Sequence, residues 1–390
     1  KELEAMLRGR QIVYIGNDWF ADNRTSSHQI ARLLSRHNRV LYVEAAGQRA
    51  PTASKRDLAK IADKLKKAWA PPKRVDENVH VYSPLILPFH GSALARRLNR
   101  SVLGASLRRA CRQVGFDRPI LWIILPHYSS IVETVPHAGI VYYVVDEYSA
   151  MPGVDAARIR EMEALVLKNA DVVFAISEQL VAAKGKANSN TYFSPHGVEI
   201  AHFGRAYREA LPVPRELEGI ARPIVGFFGL IEEWLDFDLL DYLAAERPQY
   251  SFVMVGRVAR DISRFDKRPN VHFLGKKSYD DIPGFLRAFD VCHIPFELND
   301  VILHSSPLKL KEYLAGGKPV VSVAIDEVKK LNGLVYVAND YPGYLQGIDR
   351  ALAEDSPERA AERVRAMEGE SWQSKVETIS ARVAAHVPEG

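Results

Sequence analysis

The sequence predicts an α/β protein made of two doubly wound, Rossmann-like parallel-sheet domains facing one another across a cleft. Three observations carry this. Ten short runs rich in β-branched and aromatic residues alternate with helix-periodic stretches along the 390 residues. The runs are apolar throughout rather than alternating, the pattern of strands covered on both faces. They fall into two sets of five, separated at 200–222, where LPVPRELEGIARP breaks the periodicity with prolines and a glycine.

The first set comprises QIVYI (11–15), RVLYV (39–43), PILWIIL (119–125), IVYYVV (140–145) and DVVFAI (171–176). The second comprises PIVGFF (223–228), SFVMV (251–255), VHFL (271–274), DVCHIP (290–295) and PVVSV (319–323). The expected domains are 1–205 and 206–370, with 371–390 a terminal helix returning to the first. Open α/β sheets bind ligands at the carboxyl ends of their strands, so the loops after these runs are where chemistry is expected.

Composition narrows the setting. Two cysteines argue for a reducing compartment and against a disulfide scaffold or thiolate metal site. No run approaches 18 apolar residues, and the N-terminus lacks a signal-peptide pattern. Residues 1–200 carry 28 Lys and Arg against 19 Asp and Glu; residues 201–390 carry 24 against 29. The excess concentrates in 55–112, with 14 basic and 4 acidic residues, so the first domain is expected to meet something anionic. Within it, Leu58, Ile61, Leu65 and Trp69 recur at helical spacing among lysines, and Leu94, Leu98, Val102 and Leu107 among arginines. Basic amphipathic helices with a Trp read as lipid-facing, or else as ordinary helices covering a sheet. The aromatics do not interleave with the basic residues as nucleic-acid stacking requires.

The densest motif is SSPLKLKEYLAGGKPVV (305–321). Ser306 before Pro307 reads as an N-cap. The first turn then offers free N–H groups and the positive end of the helix dipole, beside Ser305 and Leu308, and Lys309 adds a full charge. Glu312 follows at i+3 on the same face. A cation and helix tip beside a carboxylate suit a nucleoside diphosphate, phosphates on Lys309 and ribose hydroxyls on Glu312; a solvated Lys–Glu pair is the plainer alternative. Gly229, after the first strand of the second set, reads as a close backbone approach to a phosphate or sugar, or as a tight turn. Arg257 follows a strand end and is placed to reach a phosphate; Tyr279 is placed to stack on a base. Asp236 and Asp238 read as helix-start residues, so no metal site is expected. In VYYVVDEYSAMPG (141–153), Asp146 ends an apolar strand where desolvation raises a carboxyl pKa towards a general base's range. Glu147 is the fallback, and a turn role the alternative. His28 and Arg24 sit at the start of the first helix.

SPLKLKEYLAGGKPVV, with GFFGLIEEWLDFDLL (226–240), FVMVG (252–256), NVHFLGKKSYDDIPGFLRAFDVCHIPF (270–296) and the late Trp372, resembles the donor-binding half of GT-B glycosyltransferases. The chain is most similar to bacterial exopolysaccharide enzymes of the family-four type and the xanthan glucuronosyltransferase group. The resemblance implies a nucleotide-diphosphate sugar donor, UDP favoured, and no cofactor. It implies transfer to a lipid-linked or other saccharide acceptor held by a basic, membrane-facing first domain, in the cytoplasm at the inner membrane. It also implies an acidic base at Asp146, a second candidate base at His28, an acceptor contact at Arg24, and a sugar-facing turn at His196 and Gly197 in SPHGVE (194–199). Family-four retaining enzymes carry a second glutamate where this chain has His304, which tilts the expectation towards inversion. A nucleotide-sugar epimerase of the same fold and a catalytically silent nucleotide-sugar-binding protein are the rival readings. A dehydrogenase is disfavoured because GNDWFADN, not a G-x-G-x-x-G turn, follows the first strand.

Overall fold

The computed structural model describes residues 6–20, 24–45, 70–84, 93–151, 153–303, 305–387 and 389. The basic stretch 58–69 and His304 lie outside them. The chain divides into two compact units, Lys1–Ser194 with Val376–Gly390, and Pro195–Lys375. The division falls eleven residues before the expected 205/206, because Phe203 and Ala206 are buried in the core of the second unit.

The first unit holds β1 (Gln11–Gly16), β2 (Arg39–Glu44), β3 (Lys73–Asp76), β4 (Val79–Tyr82), β5 (Ile120–Ile123), β6 (Gly139–Val144), β7 (Val172–Ala175) and β8 (Thr191–Phe193). Their order is β3-β4-β2-β1-β5-β6-β7-β8, parallel except for the β3–β4 pair. The apolar runs supply the centre: β5, β6 and β7 are buried along their whole lengths. The end of the chain belongs here. Leu7 N donates to Ser380 Oγ at 2.7 Å, and Val387 packs against Gly139. The basic helix Ala93–Gln113 buries Leu103, Leu107, Ala110 and Cys111. Of the expected stripe, Leu107 is buried and Val102 half-buried, whereas Leu98 stands 51% exposed beside Arg97.

The second unit is a six-stranded parallel sheet of β9 (Ile224–Phe228), β10 (Ser251–Val255), β11 (Val271–Gly275), β12 (Val291–Ile294), β13 (Val320–Val323) and β14 (Val335–Ala338), in the order β11-β10-β9-β12-β13-β14. The first strand of the unit, β9, therefore lies between β10 and β12, and the chain order reverses at the β9/β12 junction. Such a junction is where a doubly wound sheet leaves a crevice outside its carboxyl ends.

Candidate functional site

In the second unit, the residues singled out by sequence converge on the carboxyl ends of β9 and β10. The chain leaves β9 through Gly229 at φ +146° and β10 through Gly256 at φ +152°, conformations that L side chains rarely adopt. A Cβ on Gly256 would lie 1.7 Å from the Gly229 carbonyl oxygen, and a Cβ on Gly229 would lie 2.2 Å from Lys309 Cε. The two strand ends thus press together without side chains, and Lys309 lies across the space that Gly229 leaves.

Lys309 comes from the helix Leu308–Ala315. Pro307, with extended ψ of 116°, is the N-cap, and among the described residues no side chain caps the helix. The expected cap at Ser306 is therefore corrected. Because Pro307 does not enter helical geometry, the helix starts one residue later, and Ser305 Oγ instead donates to Ile302 O at 2.7 Å. The first-turn amides of Leu308 and Lys309 have no acceptor within the helix. At the other end, Gly317 N donates to Leu314 O and Lys318 N to Tyr313 O, a Schellman closure on the predicted glycines.

Lys309 Nζ sits 5.4 Å from the Phe227 ring centroid. Burial lowers its pKa, opposed by the nearby Glu312 carboxylate. Burial also pushes Glu312 up to about 7, with Lys309 pulling it down and Glu199 adding to the rise. Neither side chain makes a hydrogen bond or close ion pair among the described residues. A half-desolvated cation and carboxylate that face the same region without satisfying each other are suited to a ligand carrying both anionic oxygens and hydroxyl donors.

The surrounding residues divide. Arg257 is exposed at the end of β10, its carbonyl accepting from Ile231 N. Tyr279 is half-buried with one ring face stacked on His202 at 4.1 Å, and its hydroxyl donates to Glu199. His196 is buried, with Nδ1 lacking a partner among the described residues and its pKa pushed down to about 3 by burial and then by Lys311. Gly197 leaves room for the backbone of Trp372, whose N and Cα would lie 2.6 Å from an added Cβ. Lys311, two positions on from Lys309, reaches the opposite side of the helix, as a rotation of about 200° requires. Its Nζ donates to His196 O at 2.5 Å and to Glu370. The sequence reading missed Lys311 and Glu199; helical phase alone separates the two lysines, but nothing local marks Glu199.

In the first unit, Asp146 and Glu147 follow β6 and part ways. Glu147 accepts from Ser149 Oγ at 2.7 Å and from Lys184 Nζ at 2.8 Å, and these partners hold its pKa low against the rise from burial. That overturns the fallback role of Glu147, since a carboxylate held ionised by a lysine is a poor base. Asp146 makes no hydrogen bond among the described residues, and desolvation pushes it up to about 7. His28 is 2% exposed with both ring nitrogens engaged: Nδ1 accepts from Thr25 N at 3.2 Å and Nε2 donates to Asp18 O at 2.8 Å. It builds the helix start and offers no nitrogen to an incoming hydroxyl. Arg24 is exposed just before that helix.

Asp236 caps its helix by accepting from Leu239 N, and Asp238 pairs with Arg264. Among the described residues, no group of three His, Cys, Asp or Glu side chains is placed to hold a metal ion, and no helix is long and apolar enough to cross a membrane.

With this geometry in place, comparison with known proteins identifies the fold. The fold is GT-B. HepE of Anabaena, solved in complex with UDP and glucose, superposes with a TM-score of 0.64 at 16% identity, covering 96% of this chain and 99% of that one. The UDP-forming α,α-trehalose-phosphate synthase of Burkholderia vietnamiensis gives 0.68 at 16% identity over 98% and 99%. Residues 222–354, about a third of the chain, match the family model of glycosyl transferases group 1. The chain is also 24% identical to TuaH of Bacillus subtilis (strain 168), assigned as a teichuronic acid biosynthesis glycosyltransferase. That match covers 62% of this chain and 66% of TuaH, just under two thirds of the relative's length.

Proposed function

We propose that this protein moves a sugar from a UDP-sugar to a hydroxyl of a lipid-linked saccharide in bacterial surface polysaccharide synthesis. The observation that carries the reading is Lys309 lying over side-chain-free Gly229 at the β9 end, one helical turn from an unpaired Glu312. The diphosphate lies on Lys309 and the Leu308 and Lys309 amides, and the ribose hydroxyls donate to Glu312. In the transfer, the bond between sugar C1 and the diphosphate oxygen breaks with its electrons going to UDP. The acceptor oxygen forms the new bond to C1 and its proton passes to a carboxylate base, the role that the resemblance implies for Asp146. Charge developing on the leaving diphosphate is stabilised by the lysine and helix tip. A direct displacement of this kind inverts C1, and His304 standing in place of a second glutamate favours it.

Surface polysaccharide as the product is supported by the likeness to TuaH, and UDP by the solved neighbours that hold it. Peripheral contact with an anionic membrane is supported by exposed Arg97, Leu98, Arg100 and Arg112 on the helix Ala93–Gln113. Melting the protein with UDP, GDP and their glucose conjugates tests the donor, since a ligand held only by the folded state raises Tm. UDP and UDP-glucose are expected to raise it and Lys309→Ala to abolish the rise; no response to any of the four overturns the reading.

A further inference from the structure

Beneath the loop that carries Asp146 lies a buried polar network that the transfer reaction does not use directly. Lys184 Nζ donates to Glu147 Oε2 and to Glu163 Oε2, both at 2.8 Å. Tyr142 OH donates to Glu163 Oε1 at 2.8 Å. Ser149 donates to Glu147 Oε1 from both Oγ and N, and Ala150 N donates to Glu147 O at 3.0 Å. Side-chain exposure is 8% for Lys184, 5% for Glu163 and 16% for Glu147. The network thus joins three elements, β6 through Tyr142, the helix Ala156–Asn169 through Glu163 and the helix Glu178–Gly185 through Lys184, to a single loop residue. A lysine is an expensive residue to bury, and truncating one member of a buried charge network leaves the others uncompensated.

Among the described residues, Glu147 is the only one of the loop that this network grips by its side chain's charge, and it is the immediate neighbour of Asp146. Held inward by two donors, Glu147 fixes the backbone on which Asp146 is presented with no hydrogen-bond partner of its own. We infer that Lys184, with Glu163 behind it, is a positioning residue: it clamps Glu147 so that Asp146 is held desolvated and unpartnered, in the state a general base needs. The inference rests on the assignment of Asp146 made above. The titratable groups around the loop are Tyr142, Glu147, Tyr148, Glu163 and Lys184. None of them forms a hydrogen bond with Asp146, so the clamp acts through the backbone.

The test uses the full chain and UDP release from UDP-glucose with water as acceptor, followed from pH 4 to 9. For the wild type, kcat/KM should fall on the acid side with a midpoint near 7, where burial places Asp146. Lys184→Met should lower kcat by about tenfold or more, within the range attributed to general-base catalysis. It should also move the acid limb down towards the ordinary carboxylate range as the released loop hydrates, while the Kd for UDP stays unchanged. Lys184→Arg should restore both. If Lys184→Met does not fold, Ser149→Ala and Glu163→Gln take its place, with smaller shifts in the same direction. An unmoved acid limb in whichever of these variants fold, with Asp146→Asn inactive, overturns the inference. Full activity in Asp146→Asn instead removes the base assignment itself, which is a separate failure.

Discussion

Gly229→Ala and Lys309→Ala, alone and combined, test whether these two residues form one phosphate-binding unit. A methyl at position 229 meets Lys309 Cε at 2.2 Å and Nζ at 2.7 Å. The nearby atoms are the far end of a flexible side chain, so the fold survives by moving the lysine off its place. What remains is the backbone cost of a side chain at φ +146°, about 1–3 kcal/mol. A charge-assisted hydrogen bond is worth about 1.5–3 kcal/mol, so losing the Lys309 contact should weaken UDP by roughly 10- to 150-fold. Gly229→Ala should therefore weaken UDP nearly as much as Lys309→Ala by isothermal titration. In the Lys309→Ala background it should cost stability but little further affinity, because there is no ammonium left to displace. Losses that simply add in the double variant would refute the shared unit, and wild-type affinity in Gly229→Ala would refute the placement of the lysine.

Three further outcomes follow from buried or crowded groups. Gly197→Ala should cost about 2–3 kcal/mol in urea unfolding, because the added carbon meets the Trp372 backbone, which cannot swing aside; a neutral result would mean that the 195–198 turn is not pinned there. His293, wholly buried with neither ring nitrogen partnered among the described residues, has its pKa pushed down to about 3 by burial, so unfolding takes up a proton below pH 6.5. It should make the protein about 2 kcal/mol less stable at pH 5 than at pH 7, and His293→Leu should flatten that dependence in urea titrations at the two pH values. Glu312 is raised rather than lowered, so its contribution to stability is present below about pH 4.5 and lost as pH rises through about 7. Glu312→Gln should raise Tm over the wild type at pH 8, leave it equal at pH 4, and weaken UDP by loss of the ribose acceptor.

The strands legible in the sequence lie mostly inside the two sheets. The strands at the centres of the sheets are apolar on both faces, and VVFA at β7 or IVGFF at β9 announces itself as such. The four strands that escaped are β3, β4, β8 and β14, all at or next to a sheet edge. Of these, KRVD at β3 and TYF at β8 are short and open to solvent, with too few apolar residues to stand out from a loop. The site shows the same division. The placement of Lys309 and Glu312 one turn apart was legible because a single helix fixes it, whatever the rest of the chain does. Glu147 and His28 were misread because their roles depend on partners far away in sequence or on a cap whose closure cannot be counted from spacing. Glu147 is claimed by Lys184, thirty-seven positions on, and His28 by a carbonyl ten positions back. A titratable residue at a strand end becomes a base only when tertiary structure denies it partners, and sequence cannot record a denial. Asp146 and Glu147, adjacent and chemically alike, differ in this one respect, which is why the clamp on the second is the place to perturb the first.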